Sequence, residues 1–180
     1  MDSKSTDISD YNNNSDFLFI TISVLIIDIV IIFLARYMPS IFGESLNIWY
    51  DKFGIAAVLS DVTIILIGFQ IARYIYTTFI APNNGWNPLY FVILLVIVQA
   101  IHDVLFYIGI ILPLPKGLNE MIDVFKRYST GGFVIVGSDS LFMISSFLIS
   151  IYLKSQPIHI TTSTILVALY TLPYILYNKH

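Results

Sequence analysis

Six polar side chains sit inside stretches that are otherwise apolar: Asp28, Asp61, Gln99, His102, Asp103 and Asp139. An ionisable group in hydrocarbon costs free energy, so such residues mark ion or proton pathways by default. Carboxylate and imidazole relays can pass protons between neighbours, and His titrates near neutral pH. Gln99, His102 and Asp103 stand at i, i+3 and i+4, which places them on one helical stripe. A competing role is structural, because polar side chains also hydrogen-bond across membrane helices and hold their packing. We expect the structural role to lead: a non-enzymatic membrane component whose buried Asp/His cluster organises a bundle. A small proton or cation channel or transporter using the same six residues is the alternative.

Other chemistries have less support. Adjacent helical residues diverge by about 100°, so His102 and Asp103 do not naturally meet on one ion. With no Cys in the chain and one histidine deep in an apolar run, no metal site is expected. His102 and the aspartates could act as acid and base. However, no GxSxG, HExxH, Walker or kinase pattern accompanies them, so neither an enzyme nor a cofactor is expected. The run TGGFVIVG only faintly resembles a potassium filter, and the TVGYG signature is absent.

The elements that must position these residues are membrane helices. The chain has 180 residues, of which 57% are hydrophobic and 12% charged; a soluble domain would have about 25% charged residues. Mean hydropathy is +0.80. A net charge of −3 excludes nucleic acid as an expected partner and leaves the lipid bilayer, with protons or cations and a homo-oligomer both compatible. Five apolar segments have the length a hydrocarbon core of about 30 Å requires: 17–36, 55–79, 89–112, 133–153 and 158–177. The fold class is therefore an all-α polytopic transmembrane helical bundle with five spans.

Within the first span, Thr21, Asp28 and Ala35 share a face. Within the second, Ala57, Asp61, Gly68 and Ala72 form a stripe of mostly small residues that permits close helix approach. Residues 117–128 add one interfacial amphipathic helix. Leu118, Met121, Ile122 and Phe125 form a stripe expected to face lipid, and Asp123 stands on the wet side. Gly131-Gly132 is read as the break before the fourth span.

Residues 1–16, rich in Ser, Asp and Asn, are expected to be disordered and to carry no cleaved leader; 17–180 form a single transmembrane domain. Asn13-Asn14-Ser15 matches a glycosylation acceptor pressed against the first span. The linker at 39–54 holds Trp49, Tyr50, Asp51 and Lys52, a mixture suited to the membrane interface.

Five spans put the termini on opposite sides. Arg36, Lys52, Lys116, Lys126, Arg127 and Lys179 gather on the side of the C-terminus, which the positive-inside rule makes cytoplasmic; the acidic N-terminus is then outside. Finally, the run His102-Asp103, Phe106-Tyr107, Pro115, Gly117, Asn119, Met121, Asp123, Phe125-Lys126, Tyr128, Gly132 and Asp139-Ser140 resembles an uncharacterised polytopic membrane protein of large DNA viruses of algae and amoebae. The resemblance covers the middle third of the chain. It implies a virion or host-cell membrane and transfers no catalytic role.

Overall fold

A computed structural model describes residues 6–42, 44–128 and 133–178, and among them there is helix and no strand. The break read at Gly131-Gly132 lies outside the described residues. Five helices are long and apolar enough to cross a membrane: Asn14–Tyr37, Ile55–Asn84, Pro88–Ile111, Val136–Lys154 and Ile158–Leu176. Their outward faces are bare hydrocarbon. Leu105, Leu166 and Tyr170 are 62–70% exposed, which a lipid environment tolerates and water does not. The chain is a multi-pass membrane protein.

Helix α1 (Asn14–Tyr37) starts on Asn13, whose side chain accepts from the Ser15 N–H, with Asp16 in the first turn against the positive end of the helix dipole. A one-turn helix (Pro39–Phe42) and α2 (Glu44–Phe53) then occupy the segment expected to be an interfacial linker. Helix α3 (Ile55–Ile75) runs on through a π turn (Tyr76–Ile80) and a last turn (Ala81–Asn84). Gly85, at φ 62°, reverses the chain in a conformation that favours glycine. Asn87 caps α4 (Pro88–Phe106) by accepting from the Leu89 and Tyr90 N–H groups, with Pro88 at the first position. A second π turn (Tyr107–Ile111) ends that span ahead of Pro113. Helix α5 (Glu120–Tyr128) is capped by Asn119, which accepts from the Met121 and Ile122 N–H groups. Helices α6 (Phe133–Lys154) and α7 (Ile158–Leu176) complete the chain.

The packing centres on α1, which touches α2, α3, α6 and α7. Helix α4 packs on α3 and α6, so α1, α3, α4 and α6 close a four-helix ring, with α7 laid outside against α1. Gly68 sets the spacing of α3 and α4. A Cβ there would come within 2.9 Å of Gln99 Oε1 and 2.8 Å of Met143 Cε, so any larger residue would force the ends of both side chains to shift.

One end of the ring is sealed. Tyr76, Trp86, Phe91 and Phe147 stack edge to face, with Tyr76 and Phe91 centroids 5.3 Å apart, and Ile8 lies fully buried in the same core. The expected disorder of the N-terminus therefore does not extend to residues 6–16. The fully buried Arg73 donates to the Asp10 carbonyl and, at 2.7 Å, to the Asn13 carbonyl. Thr77 bonds the Ser9 carbonyl and the Tyr11 N–H, and Lys154 pairs with Asp16 at 2.7 Å. Polar residues that cannot form a core of their own are ordered here by buried cations that need acceptors. Asn13, read as a glycosylation acceptor, spends its amide on Asp16 and its carbonyl on the helix cap.

The opposite end is tied by Arg36, 2% exposed. It donates to the Leu176 carbonyl at 2.7 Å and to Asn47, and pairs with Asp51 at 2.6 Å, joining α1, α2 and the end of α7.

Candidate functional site

The ring is hollow towards the Arg36 end. A cavity of about 790 Å³ lies between α1, α3, α4 and α6, with α2 and α5 closing over its mouth. Asp61, Gln99, His102, Asp103 and Asp139 all line it. The geometry thus gathers five of the six residues singled out from the sequence onto one surface.

The polar stripe of α4 is internally connected. Gln99 Nε2 donates to Asp103 Oδ1 at 2.7 Å, and His102 Nδ1 stands 3.2 Å from the same oxygen. The one-turn spacing from Gln99 to Asp103 makes the first contact, and the flat His102 ring stacks on Phe106 one turn on, 17° from coplanar. Across the cavity, Asp139 on α6 comes close enough to Asp103 for the two carboxyls to interact directly, and Asp61 on α3 adds its charge to the same region.

Asp28 is the exception. It is fully buried and does not line the cavity; instead it accepts from the Tyr50 hydroxyl at 3.1 Å. Tyr50 also interacts with Asp61, so one phenol joins the first and second spans through α2. Burial, together with the adjacent Asp28 and Asp61 carboxyls, pushes the Tyr50 hydroxyl well above its ordinary value, which keeps it a donor. Trp49 Nε1 donates to Asp61 at 3.0 Å. Trp49 and Tyr50 were read only as interfacial aromatics. The signal that could have placed them is the amphipathic spacing of Leu46, Trp49, Tyr50 and Phe53, which turns one face of α2 inward.

Helix α5 forms where an amphipathic helix was expected, but its apolar stripe does not look at lipid. Met121, Ile122, Val124 and Phe125 line the cavity, and Phe125 meets Phe106 and Trp49 edge to face at 6.0 and 6.3 Å. Asp123, expected on the wet side, accepts from the Gly117 N–H at 2.8 Å and closes the turn before the helix. Lys52 on α2 pairs with Glu120 on α5 at 2.6 Å. Both side chains are more than a third exposed, so this clasp contributes little and can break at small cost.

The electrostatic character of the cavity is one-sided. Among the described residues its wall has three aspartates, one histidine and neither Lys nor Arg. Gln99 Oε1 packs against Gly68 on the neighbouring helix, and the Asp103 carboxyl meets that of Asp139. Three acidic or histidine side chains nowhere converge on one point among the described residues, so the carboxylates are spread along the wall rather than gathered into a metal cage. No family model, no curated protein and no solved structure matches this chain.

Proposed function

We propose that this chain is a non-enzymatic carrier of protons or cations that takes its cargo into the acidic cavity between α1, α3, α4 and α6. The observation that carries this reading is the cavity wall: three aspartates facing a space of about 790 Å³, with no basic residue among the described residues that line it. The far end of the ring is filled by aromatic side chains and by Ile8, so the cavity is a dead end rather than a pore. A blind cavity suits a carrier that alternates between sides better than an open channel.

The structural reading keeps one part of the cluster. Asp28 is bonded to Tyr50 behind the cavity wall, and its role is to hold α2 against α1. The basic residues near the cavity mouth support a cytoplasmic mouth by the positive-inside rule, with residues 6–16 outside. The likeness to viral membrane proteins favours a virion or host-cell membrane as the location.

The test is flux. Purified protein in liposomes, loaded with a pH-sensitive or cation-sensitive dye, is expected to dissipate an imposed gradient faster than empty liposomes, with saturation as the cation concentration rises. A rate equal to that of protein-free liposomes for protons, alkali cations and organic cations alike would contradict the reading.

A further inference from the structure

We propose that residues 6–13 are the outer gate of the ring: a strap that closes the end opposite the cavity mouth and lifts from it when the cavity opens outward. This rests on the carrier reading, because a carrier with a blind cavity needs a second door, and it names that door.

The ring gives the strap its leverage. Helices α3 and α6 stand at opposite corners, each packed on α1 and α4. At the sealed end the strap joins them. From α3 and the π turn that continues it, Arg73 donates to the Asp10 and Asn13 carbonyls, and Thr77 donates to the Ser9 carbonyl and accepts from the Tyr11 N–H, both at 2.9 Å. From the end of α6, Lys154 donates to the Asp7 carbonyl and pairs with Asp16 at 2.7 Å. Between these ties Ile8, fully buried, enters the core that holds Tyr76, Phe91 and Phe147. The docked strap therefore holds the outer ends of α3 and α6 together and fills the gap between them.

The fastening is that of a gate rather than of a packed helix. Ile8 is the one residue of 6–13 in that core, and Tyr11, 43% exposed, leans edge-on against Tyr74. A segment with few buried apolar contacts opens at lower free energy than the helices beneath it. The strap meets Arg73, Lys154 and Thr77 largely through its backbone carbonyls. Water entering the opened end can replace those carbonyls, so release does not strand the cations. The docking site is also a break in helix α3: Tyr76 and Thr77 open the π turn Tyr76–Ile80. Such turns interrupt the regular hydrogen-bond ladder and recur at functional sites. At the opposite end, α5 is clasped to α2 by the exposed Lys52–Glu120 pair, so the two ends carry separate closures.

Leu95 reports the gate. It is fully buried, one turn from Phe91 in the seal and one turn from Gln99 on the cavity wall. Leu95→Cys in the full-length protein, held in lipid nanodiscs, is labelled with a water-soluble thiol reagent. Ala57→Cys, buried in the separate core near α2, is the control for general loosening. Ile8→Asp puts a carboxyl in an apolar core and should undock the strap, speeding Leu95→Cys labelling by about tenfold or more while Ala57→Cys stays slow. Ile8→Ser serves as the second variant if Ile8→Asp does not fold.

The second arm locks the strap without weakening the fold. Tyr11→Cys/Tyr74→Cys replaces two rings whose centroids stand 5.5 Å apart. A short, membrane-permeant, reducible cross-linker joins the pair in proteoliposomes. Cation uptake should stop on cross-linking and return on reduction. Uptake that continues in the cross-linked protein at the uncross-linked rate overturns the proposal, whatever Leu95 shows, and leaves the carrier reading standing. If no uptake is seen before cross-linking but Leu95 labelling still follows the strap, the carrier reading falls and the strap remains the closure of the outer end. If there is no uptake and Leu95 labelling ignores the strap, both fall.

Discussion

Asp28 and Asp103 are both aspartates inside membrane-spanning helices, yet their surroundings assign them different work. Asp28 is buried behind the cavity wall with one oxygen on Tyr50, whereas Asp103 stands on the cavity wall, its carboxyl held by Gln99 and His102 and in contact with that of Asp139. Two predictions belong to this scale. Tyr50→Phe removes the donor to Asp28 and should destabilise the protein by about 1–3 kcal/mol, read as a fall in melting temperature or in denaturant midpoint. The pH dependence of that difference is also determined. The Tyr50 hydroxyl is raised in the folded chain, so its contribution is fully present below the unfolded value of about 10 and is lost as pH rises beyond it. The wild-type advantage over Tyr50→Phe should therefore be constant from pH 7 to 9 and should shrink above about pH 10.

At the level of elements, α5 is the part whose role changes most between sequence and structure. Its helical periodicity and its Asn119 cap are visible in the residues, but an apolar stripe looks the same whether it meets lipid or a cavity. Only the contacts of Phe125 with Phe106 and Trp49 decide it. The same limit applies to α2, whose Trp49 and Tyr50 read as interfacial anchors until the aspartates 12 and 22 residues away are brought to them. It applies also to residues 6–16, whose order depends on Arg73 and Lys154 arriving from distant helices. By contrast, the spans, the polar stripe of α4 and the small-residue stripe of α3 depend on local periodicity, so they were legible. A lid role for α5 makes a prediction. Phe125→Asp should loosen α5 from Trp49 and Phe106, raising the accessibility of a cysteine at Met121 to a soluble thiol reagent. Glu120→Gln, which removes only an exposed ion pair, should change it little.

For the whole molecule, the threading is constrained at both ends. Residues 6–13 bind the far ends of α3 and α6, and Arg36 binds the end of α7, so five spans with termini on opposite sides are held by specific contacts. The absence of native cysteine makes labelling clean. Single cysteines at Asn84 and Ser155 should react with an impermeant reagent from outside the cell, and cysteines at Lys52 and Glu120 should react only after the membrane is opened. The reverse pattern would invert the proposed orientation while leaving the fold untouched.

The central claim is that the wall of the cavity, and Asp103 above all, serves a cargo rather than the packing. Arg36 supplies the contrast, because it is a buried tie placed outside the cavity. Arg36→Met strands the Leu176 carbonyl and the Asn47 side chain, and should cost about 1–3 kcal/mol of stability. The decisive measurement is cation uptake by proteoliposomes, per folded protein, for wild type, Asp103→Asn and Arg36→Met, with melting temperatures taken on the same preparations. The account predicts that Asp103→Asn melts like wild type and loses uptake, while Arg36→Met melts earlier and its folded fraction keeps uptake. Uptake that survives Asp103→Asn at wild-type rates would show that the carboxyl stripe only holds helices together.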